Sequence, residues 1–145
     1  MSENLNKLFS PVLVVEDLTT AKTIDQYDTG KCFTLGNASG LTVSLPNVAD
    51  VPSGFFVRFI VKIANTGSDT YLVYVTDGDG DILHGVVISA EDAQGSGDSS
   101  SGAGTDVVTF VGGKAQIGDY LDLWTDGTYW YATAVVTQQD AVTYT

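Results

Sequence analysis

The segment Gly118–Val136, GDYLDLWTDGTYWYATAVV, decides the fold class that the sequence predicts. Apolar and polar residues alternate on both sides of Asp126-Gly127, a dipeptide that favours the tight type I′ turn of a β-hairpin. A two-residue turn would place Trp124 opposite Tyr129 on the neighbouring strand. The segment therefore predicts two antiparallel strands joined by a short connection.

The predicted hairpin carries large side chains on both of its faces. Opposed residues share a face, so one face holds an apolar set, Leu121, Leu123, Trp130 and Ala132. The other face holds one acid and three aromatic residues, Asp122, Trp124, Tyr129 and Tyr131. A small monomeric sandwich covers only one face of such a hairpin. The second face therefore predicts a partner, either another copy of the chain or a ligand.

Composition narrows the class of protein. A chain of 145 residues predicts one domain with room for a sizeable core. Six basic and eighteen acidic side chains give a net charge of −12, which disfavours nucleic acid and anionic membranes as partners, because binding to phosphates needs Lys and Arg. A single cysteine excludes an internal disulfide, and a single histidine excludes a multi-histidine metal site. No apolar run approaches the roughly 18 residues of a membrane span, and the polar amino terminus does not resemble a secretory signal.

The rest of the chain predicts an all-β domain. Residues 1–11 are expected to form an N-terminal arm that docks on a partner through Leu5, Leu8 and Phe9, with a frayed terminus as the alternative. Residues 12–145 contain short alternating segments about ten residues apart with turn residues between them, which predicts an antiparallel sandwich or barrel without helices. Phe55–Ala64 is the most hydrophobic segment and is predicted to be a central strand. Residues 91–106, rich in Gly, Ser and Asp, predict a flexible loop.

Few residues have the spacing that catalysis or metal binding requires. Asp77, Asp79 and Asp81 resemble the first half of a calcium loop, but the later glutamate is missing and a solvated hairpin turn is favoured. His84 has no nucleophile motif beside it, and Cys32 is predicted to be a small buried apolar residue. Three acids near the hairpin, Asp119, Asp122 and Asp126, are expected to face solvent. The sequence therefore predicts no catalytic residue, no cofactor and no enzyme.

The aromatic face of the hairpin has two interpretations. Trp124, Tyr129 and Tyr131 could stack on sugar rings beside Asp122. They could instead form the seam of a symmetric oligomer, because Trp and Tyr are enriched at protein interfaces. The oligomer is favoured, since a β-rich chain with few charges in its strands readily forms a closed assembly.

Four blocks of the sequence together resemble a β module of virion surface proteins from tailed bacteriophages, especially marine and cyanobacterial phages. The blocks are YDTGKCFTLGNASGLTVSLP (Tyr27–Pro46), SGFFVRFIV (Ser53–Val61), GDGDILHGVV (Gly78–Val87) and TFVGGKAQIGDYLDLWTDGTYWY (Thr109–Tyr131). Such modules serve as capsid decoration (cement) proteins, head fibres and domains of tail fibres. The resemblance implies a homotrimer on the outside of a virus particle and names no catalytic residue.

Length favours the cement protein among these types, because the chain has no shaft and no repeats. The expected function is to bridge and stabilise major capsid subunits on the outer surface of the phage head. The expected partners are copies of the chain and the major capsid protein, and the protein would be made in the cytoplasm of a host bacterium. The alternative is a receptor-binding or glycan-binding module of a head fibre or tail fibre.

Overall fold

The computed structural model describes residues 13–75, 82–91 and 106–145. These residues form two β-sheets packed against each other, which confirms the predicted all-β sandwich. The strands are β1 (Val14–Leu18), β2 (Lys22–Thr23), β3 (Lys31–Leu35), β4 (Leu41–Leu45), β5 (Phe56–Val61), β6 (Tyr71–Val75), β7 (Leu83–Ser89), β8 (Val107–Phe110), β9 (Tyr120–Thr125), β10 (Trp130–Val136) and β11 (Val142–Tyr144). Two short 3₁₀ helices, Gln26–Asp28 and Val48–Asp50, follow β2 and β4.

The chain winds as a flattened coil, because successive strands from β1 to β9 alternate between the two sheets. One sheet has the strand order β1-β3-β5-β9-β10-β7 and the other β11-β8-β6-β4-β2. Strands β1, β3 and β5 are therefore parallel neighbours, and so are β2, β4 and β6. Of the nine strand pairings in the described residues, five are parallel and four antiparallel.

Both sheets are thus mixed, and the prediction of antiparallel sheets is corrected. Alternation of apolar and polar residues has a period of two in both kinds of sheet, so it does not distinguish them. Parallel neighbours need a long crossover between them. Here each crossover contains a strand of the opposite sheet, so closely spaced strands that look like hairpins in the sequence lie in different layers.

The core fills the space between the two sheets. Strand β5 is third of six in its sheet, as predicted, and it alternates cleanly, with Val57, Phe59 and Val61 buried. The ring of Phe59 stacks on Phe33 of β3 at 5.4 Å between ring centroids. Ile63, which the alternation also placed inside, lies beyond the end of the strand and is partly exposed.

The connection between β9 and β10 is longer than predicted. Thr125 pairs with Trp130, so the loop spans the four residues 126–129 and not two. The Asp126 carboxylate sets this conformation, because its Oδ1 accepts hydrogen bonds from the backbone N–H groups of Thr128 (2.8 Å) and Tyr129 (2.9 Å). Gly127 supplies the positive φ of 95° that the turn requires.

The predicted faces of the hairpin nevertheless hold. A shift of the register by two residues is even, so each side chain stays on its predicted face. The apolar face is buried in the core: Leu121, Leu123, Trp130 and Ala132. Trp124 now faces Tyr131 across the ladder, and Tyr129 lies in the loop.

A cluster of charged side chains lies between β1, β2 and β3. Asp28 is buried at the end of the first 3₁₀ helix, where its carboxylate accepts hydrogen bonds from the Lys31 ammonium and from the backbone N–H of Asp25. Lys22 lies 3.7 Å from the same carboxylate and also donates to Glu16 at 3.0 Å. Burial alone would raise the pKa of Asp28, but these bonds and the two lysine charges outweigh it and hold the pKa below its usual value.

We expect the free energy of unfolding to be nearly constant from pH 5 to pH 8 and to fall below about pH 4. The unfolded aspartate titrates near pH 3.9, and because the folded pKa of Asp28 is lower, its contribution is present above that value and is lost as the pH falls. Asp28→Asn should lower the free energy of unfolding by about 2 kcal/mol at pH 7, which is the usual contribution of a hydrogen bond to a charged group. Urea titrations from pH 3 to pH 8 would show a weaker acid dependence for the variant, and parallel curves would contradict this role.

Candidate functional site

Three rows of side chains cross the solvent side of the six-stranded sheet, on strands β5, β9, β10 and β7. The first row is Phe56, Trp124, Tyr131 and His84. The second row is Arg58, Asp122, Thr133 and Val86. The third row is Ile60, Tyr120, Val135 and Ile88. We call these twelve side chains the outer aromatic face.

The outer aromatic face is unusually apolar for a surface exposed to solvent. Trp124 is 45% exposed and Ile88 is 53% exposed, and Val86 beside it is exposed as well. The corresponding side of the other sheet is more mixed, because hydroxyl groups on Thr42, Ser44, Thr109 and Thr143 lie between Leu72, Tyr74 and Val107. Single exposed apolar residues are ordinary, whereas a contiguous apolar surface marks a site of interaction.

Aromatic rings of the first row contact one another and the ring of Tyr129 in the neighbouring loop. Trp124 and Tyr131 are stacked, with 4.5 Å between ring centroids and 26° between ring planes. Tyr129, 41% exposed in the loop before β10, meets the ring of His84 edge to face at 4.9 Å. The structure therefore brings together the three aromatic residues predicted from the hairpin and adds His84, which the sequence treated as isolated.

The loop beneath these rings is fixed by Asp126. The Tyr131 hydroxyl donates to Asp126 Oδ2 at 3.0 Å. The backbone N–H groups of Tyr129 and Thr128, together with this hydroxyl, hold the pKa of Asp126 below its usual value. The same hydrogen bond raises the pKa of Tyr131.

An ion pair lies in the middle of the outer aromatic face. Arg58 on β5 donates from Nε to Asp122 Oδ1 at 2.6 Å and from Nη2 to Asp122 Oδ2 at 2.7 Å. The guanidinium also lies 4.6 Å from the ring centroid of Tyr120. The hydrogen bond to Asp122 raises the pKa of Arg58. Each charge is therefore neutralised by its neighbour on the same face.

The three acids near the hairpin have separate structural tasks. Asp119, expected to face solvent, is instead buried, and it accepts hydrogen bonds from the backbone N–H groups of Gln116 (2.8 Å) and Thr137 (2.9 Å). That expectation fails because an acid beside a turn can satisfy backbone donors that a buried loop leaves free. Asp122 is bound by Arg58, and Asp126 holds its own loop.

Cys32 is buried, as predicted, and burial raises the pKa of its thiol. The candidate calcium ligands Asp77, Asp79 and Asp81 lie outside the described residues, as do Leu5, Leu8 and Phe9 and nearly all of the loop 91–106. Within residues 13–75, 82–91 and 106–145, no group of three or more His, Cys, Asp or Glu side chains is arranged to hold a metal ion.

Nine of the twelve members of the outer aromatic face were not predicted as site residues, among them Arg58, His84, Val86 and Ile88. Alternation within β5 places Arg58 on the side away from the core, but nothing local indicated that Asp122 would be its neighbour.

In the described part of the chain, no helix is long and apolar enough to cross a membrane. No protein-family model matches the chain, and comparisons with curated proteins and with solved structures give no match.

Proposed function

We propose that this chain is a non-enzymatic structural protein of a tailed-phage virion, a decoration (cement) protein on the outer surface of the capsid. In this role it binds and bridges major capsid subunits and associates with copies of itself, for which the resemblance to phage modules implies a homotrimer. The observation that supports the proposal most is the outer aromatic face, a flat apolar surface on a rigid sheet.

The chemistry of the outer aromatic face suits contact better than catalysis. Its two charged groups, Arg58 and Asp122, satisfy each other, and the nearby Asp126 is engaged by its own loop. What the face can contribute is burial, about 25 cal/mol for each Å² of apolar surface removed from water. Repeated over many copies on a shell, even a modest gain per copy opposes expansion of the capsid. The net charge of −12 keeps the decorated particles apart.

A glycan-binding fibre module is the second candidate. It is favoured by the exposure of Trp124 and Tyr129, since flat rings stack on sugars, and by the carboxylate of Asp126 close by. However, one face of the Trp124 indole is already covered by Tyr131. A sugar could then stack only on the opposite face, whereas a protein surface can also pack against the ring edges. The stacked arrangement therefore offers a sugar less of the Trp124 ring than it offers a protein partner.

The predicted arm, residues 1–11, belongs to the same proposal as a second contact with the shell. Its residues lie outside the described part of the chain. The outer aromatic face and the arm are separate surfaces in the proposal, so each can be changed without the other.

We expect the double substitution Trp124→Ala and Tyr129→Ala to weaken binding to phage heads at least tenfold. Exposed aromatic residues at the centre of an interface commonly contribute more than about 1.4 kcal/mol each, which corresponds to a factor of ten. Binding would be measured by co-sedimentation with heads of the phage that encodes the chain, stripped of this protein.

Tyr27→Ala is the matched control, because Tyr27 is 78% exposed but lies on the first 3₁₀ helix and is not one of the twelve side chains of this face. Undiminished binding by the double variant would contradict the capsid role of the face. Saturable glycan binding that is lost with Trp124→Ala, while the oligomer persists, would favour the fibre module instead.

A further inference from the structure

We propose that the outer aromatic face is the contact between two copies of this chain, packed face to face about a two-fold axis, with Arg58 of each copy opposite Asp122 of the other. The inference rests on the proposed function only in taking this face as a contact surface, and it assigns the face in the free protein to a second copy, which the capsid would have to displace. It names the occupant, a second copy, and the symmetry of the contact.

Charge favours a second copy at this face. Two chains that each carry −12 repel across most of their surfaces. On the outer aromatic face the charged groups are Arg58 and Asp122, joined by two hydrogen bonds, and their sum is zero. Toward the β1 edge of the same sheet, Lys62, which follows β5, and Asp17 on β1 also neutralise each other. The face is therefore a surface on which a second, equally acidic copy can approach closely.

Because of the position of the ion pair, the face is complementary in charge to the same face of a second copy. Arg58 and Asp122 lie side by side on β5 and β9, the two middle strands of the six. A two-fold axis that runs between these strands, parallel to them, places each guanidinium over the carboxylate of the other copy. The same operation lays β7 of one copy over β1 of the other. In the second row, this places Val86 opposite Val15 of the second copy, and both side chains are exposed in the single chain.

Area requires that the contact extend beyond the twelve side chains of the outer aromatic face, over β3 and β1 as well, so that all six strands of the sheet are covered. Strands about 4.8 Å apart give six strands a width of about 24 Å, and three rows of side chains extend about 20 Å along them. The projected area is thus about 500 Å², which side-chain relief increases toward the roughly 800 Å² per partner of a standard interface. A contact centred on β5 and β9 uses all of it, whereas an offset contact falls well below that area. We therefore expect a weak dimer, with a Kd in the micromolar range.

The symmetry of this contact differs from the symmetry of a closed trimer. A two-fold contact uses one self-complementary surface, whereas a closed trimer needs two different surfaces that fit each other. The described residues offer one such apolar surface, with opposite charges paired at its centre. The expected assembly at this face is therefore a dimer, in place of the homotrimer that the resemblance to phage modules implies.

A charge-exchange experiment tests the contact directly. Arg58→Asp gives a face with two negative groups, and Asp122→Arg gives a face with two positive groups. Each variant alone should dimerise at least tenfold more weakly than the unchanged chain, because like charges meet across the axis. Mixed in equal amounts, the two variants should recover the dimer mass, since the negative face then meets the positive one. Sedimentation velocity from 1 to 200 µM would measure all four samples.

A second pair of variants protects the test against a loss of folding. Val86→Lys changes a side chain that is 40% exposed and lies opposite the apolar Val15 of the second copy, and it breaks none of the ion pairs, so it should weaken the dimer at least tenfold without a loss of thermal stability. Ile117→Lys is the control, because Ile117 is 69% exposed on the loop before β9, off the face. Its dimer should be unchanged.

Several outcomes would overturn the inference. An unchanged chain that stays monomeric at 200 µM, a mixture of charge variants that does not dimerise, or a trimer mass would each contradict the two-fold contact. The proposed function is tested separately by the binding of the Trp124 and Tyr129 double variant to heads. A dimer that behaves as described, together with undiminished head binding by that variant, would support the inference and contradict the capsid role.

Discussion

Replacing Trp130 by alanine is expected to lower the free energy of unfolding by about 3–5 kcal/mol, the usual cost of removing a large aromatic side chain from a core. Trp130 begins β10 and is completely buried, and Phe55 contacts its ring edge on at 5.9 Å between ring centroids. Urea denaturation followed by circular dichroism would measure the loss.

Trp124→Ala is the matched control, on the same hairpin but on the opposite face. Because Trp124 is 45% exposed, its loss should cost about 1 kcal/mol or less in stability and should act on association instead. The chain has two tryptophans, so each variant keeps a single one. Emission from Trp130 alone should be blue-shifted relative to emission from Trp124 alone. Equal stability losses in the two variants would contradict this division between core and surface.

Gly40→Ala is expected to have the second largest effect. Gly40 ends the turn before β4 with φ of 76°, and a Cβ there would lie 2.2 Å from the backbone oxygen of Thr70. The left-handed conformation alone costs an alanine about 1–2 kcal/mol. The overlap with a backbone atom that cannot rotate away adds about 1–3 kcal/mol.

Gly30→Ala isolates the two effects. Gly30 has nearly the same φ, 80°, but a Cβ at that position would meet nothing within 4 Å. It should therefore show the conformational cost alone. Urea denaturation of both variants would give the difference, and losses of the same size would mean that the turn at Gly40 can move away from Thr70.

Local patterns in the sequence predicted much of the fold. In β4, for example, Leu41, Val43 and Leu45 alternate with polar residues, and all three are buried as expected. Asn37-Ala38-Ser39-Gly40 has the residues typical of a turn, and the backbone N–H of Gly40 donates to the backbone oxygen of Asn37 at 3.0 Å. These features depend on residues close together in the chain, where periodicity and turn chemistry act directly.

The direction and order of the strands could not be predicted in the same way. A strand in a parallel and one in an antiparallel sheet have the same alternation, so the coil of β1 to β6 left no signal in the pattern. The register of the hairpin depended on whether Asp126 would hold a longer loop, as its side-chain hydrogen bonds to Thr128 and Tyr129 do.

The candidate site was predicted only where it is local. Trp124 and Tyr131 lie on one hairpin, so alternation placed them on one face. Arg58 and Asp122 are 64 residues apart in the chain, and they become neighbours only because β9 pairs with β5. The strand that carries His84, Val86 and Ile88 joins the same surface through a parallel pairing with β10 that no local pattern indicates.

The flattened coil also bears on how such a module can lengthen. Each full turn of the coil adds one strand to each of the two sheets. The first two strands of the coil, β1 and β2, lie at the edges of the two sheets. Duplicating a turn at these edges would broaden both layers together by about 4.8 Å and leave the existing interior untouched.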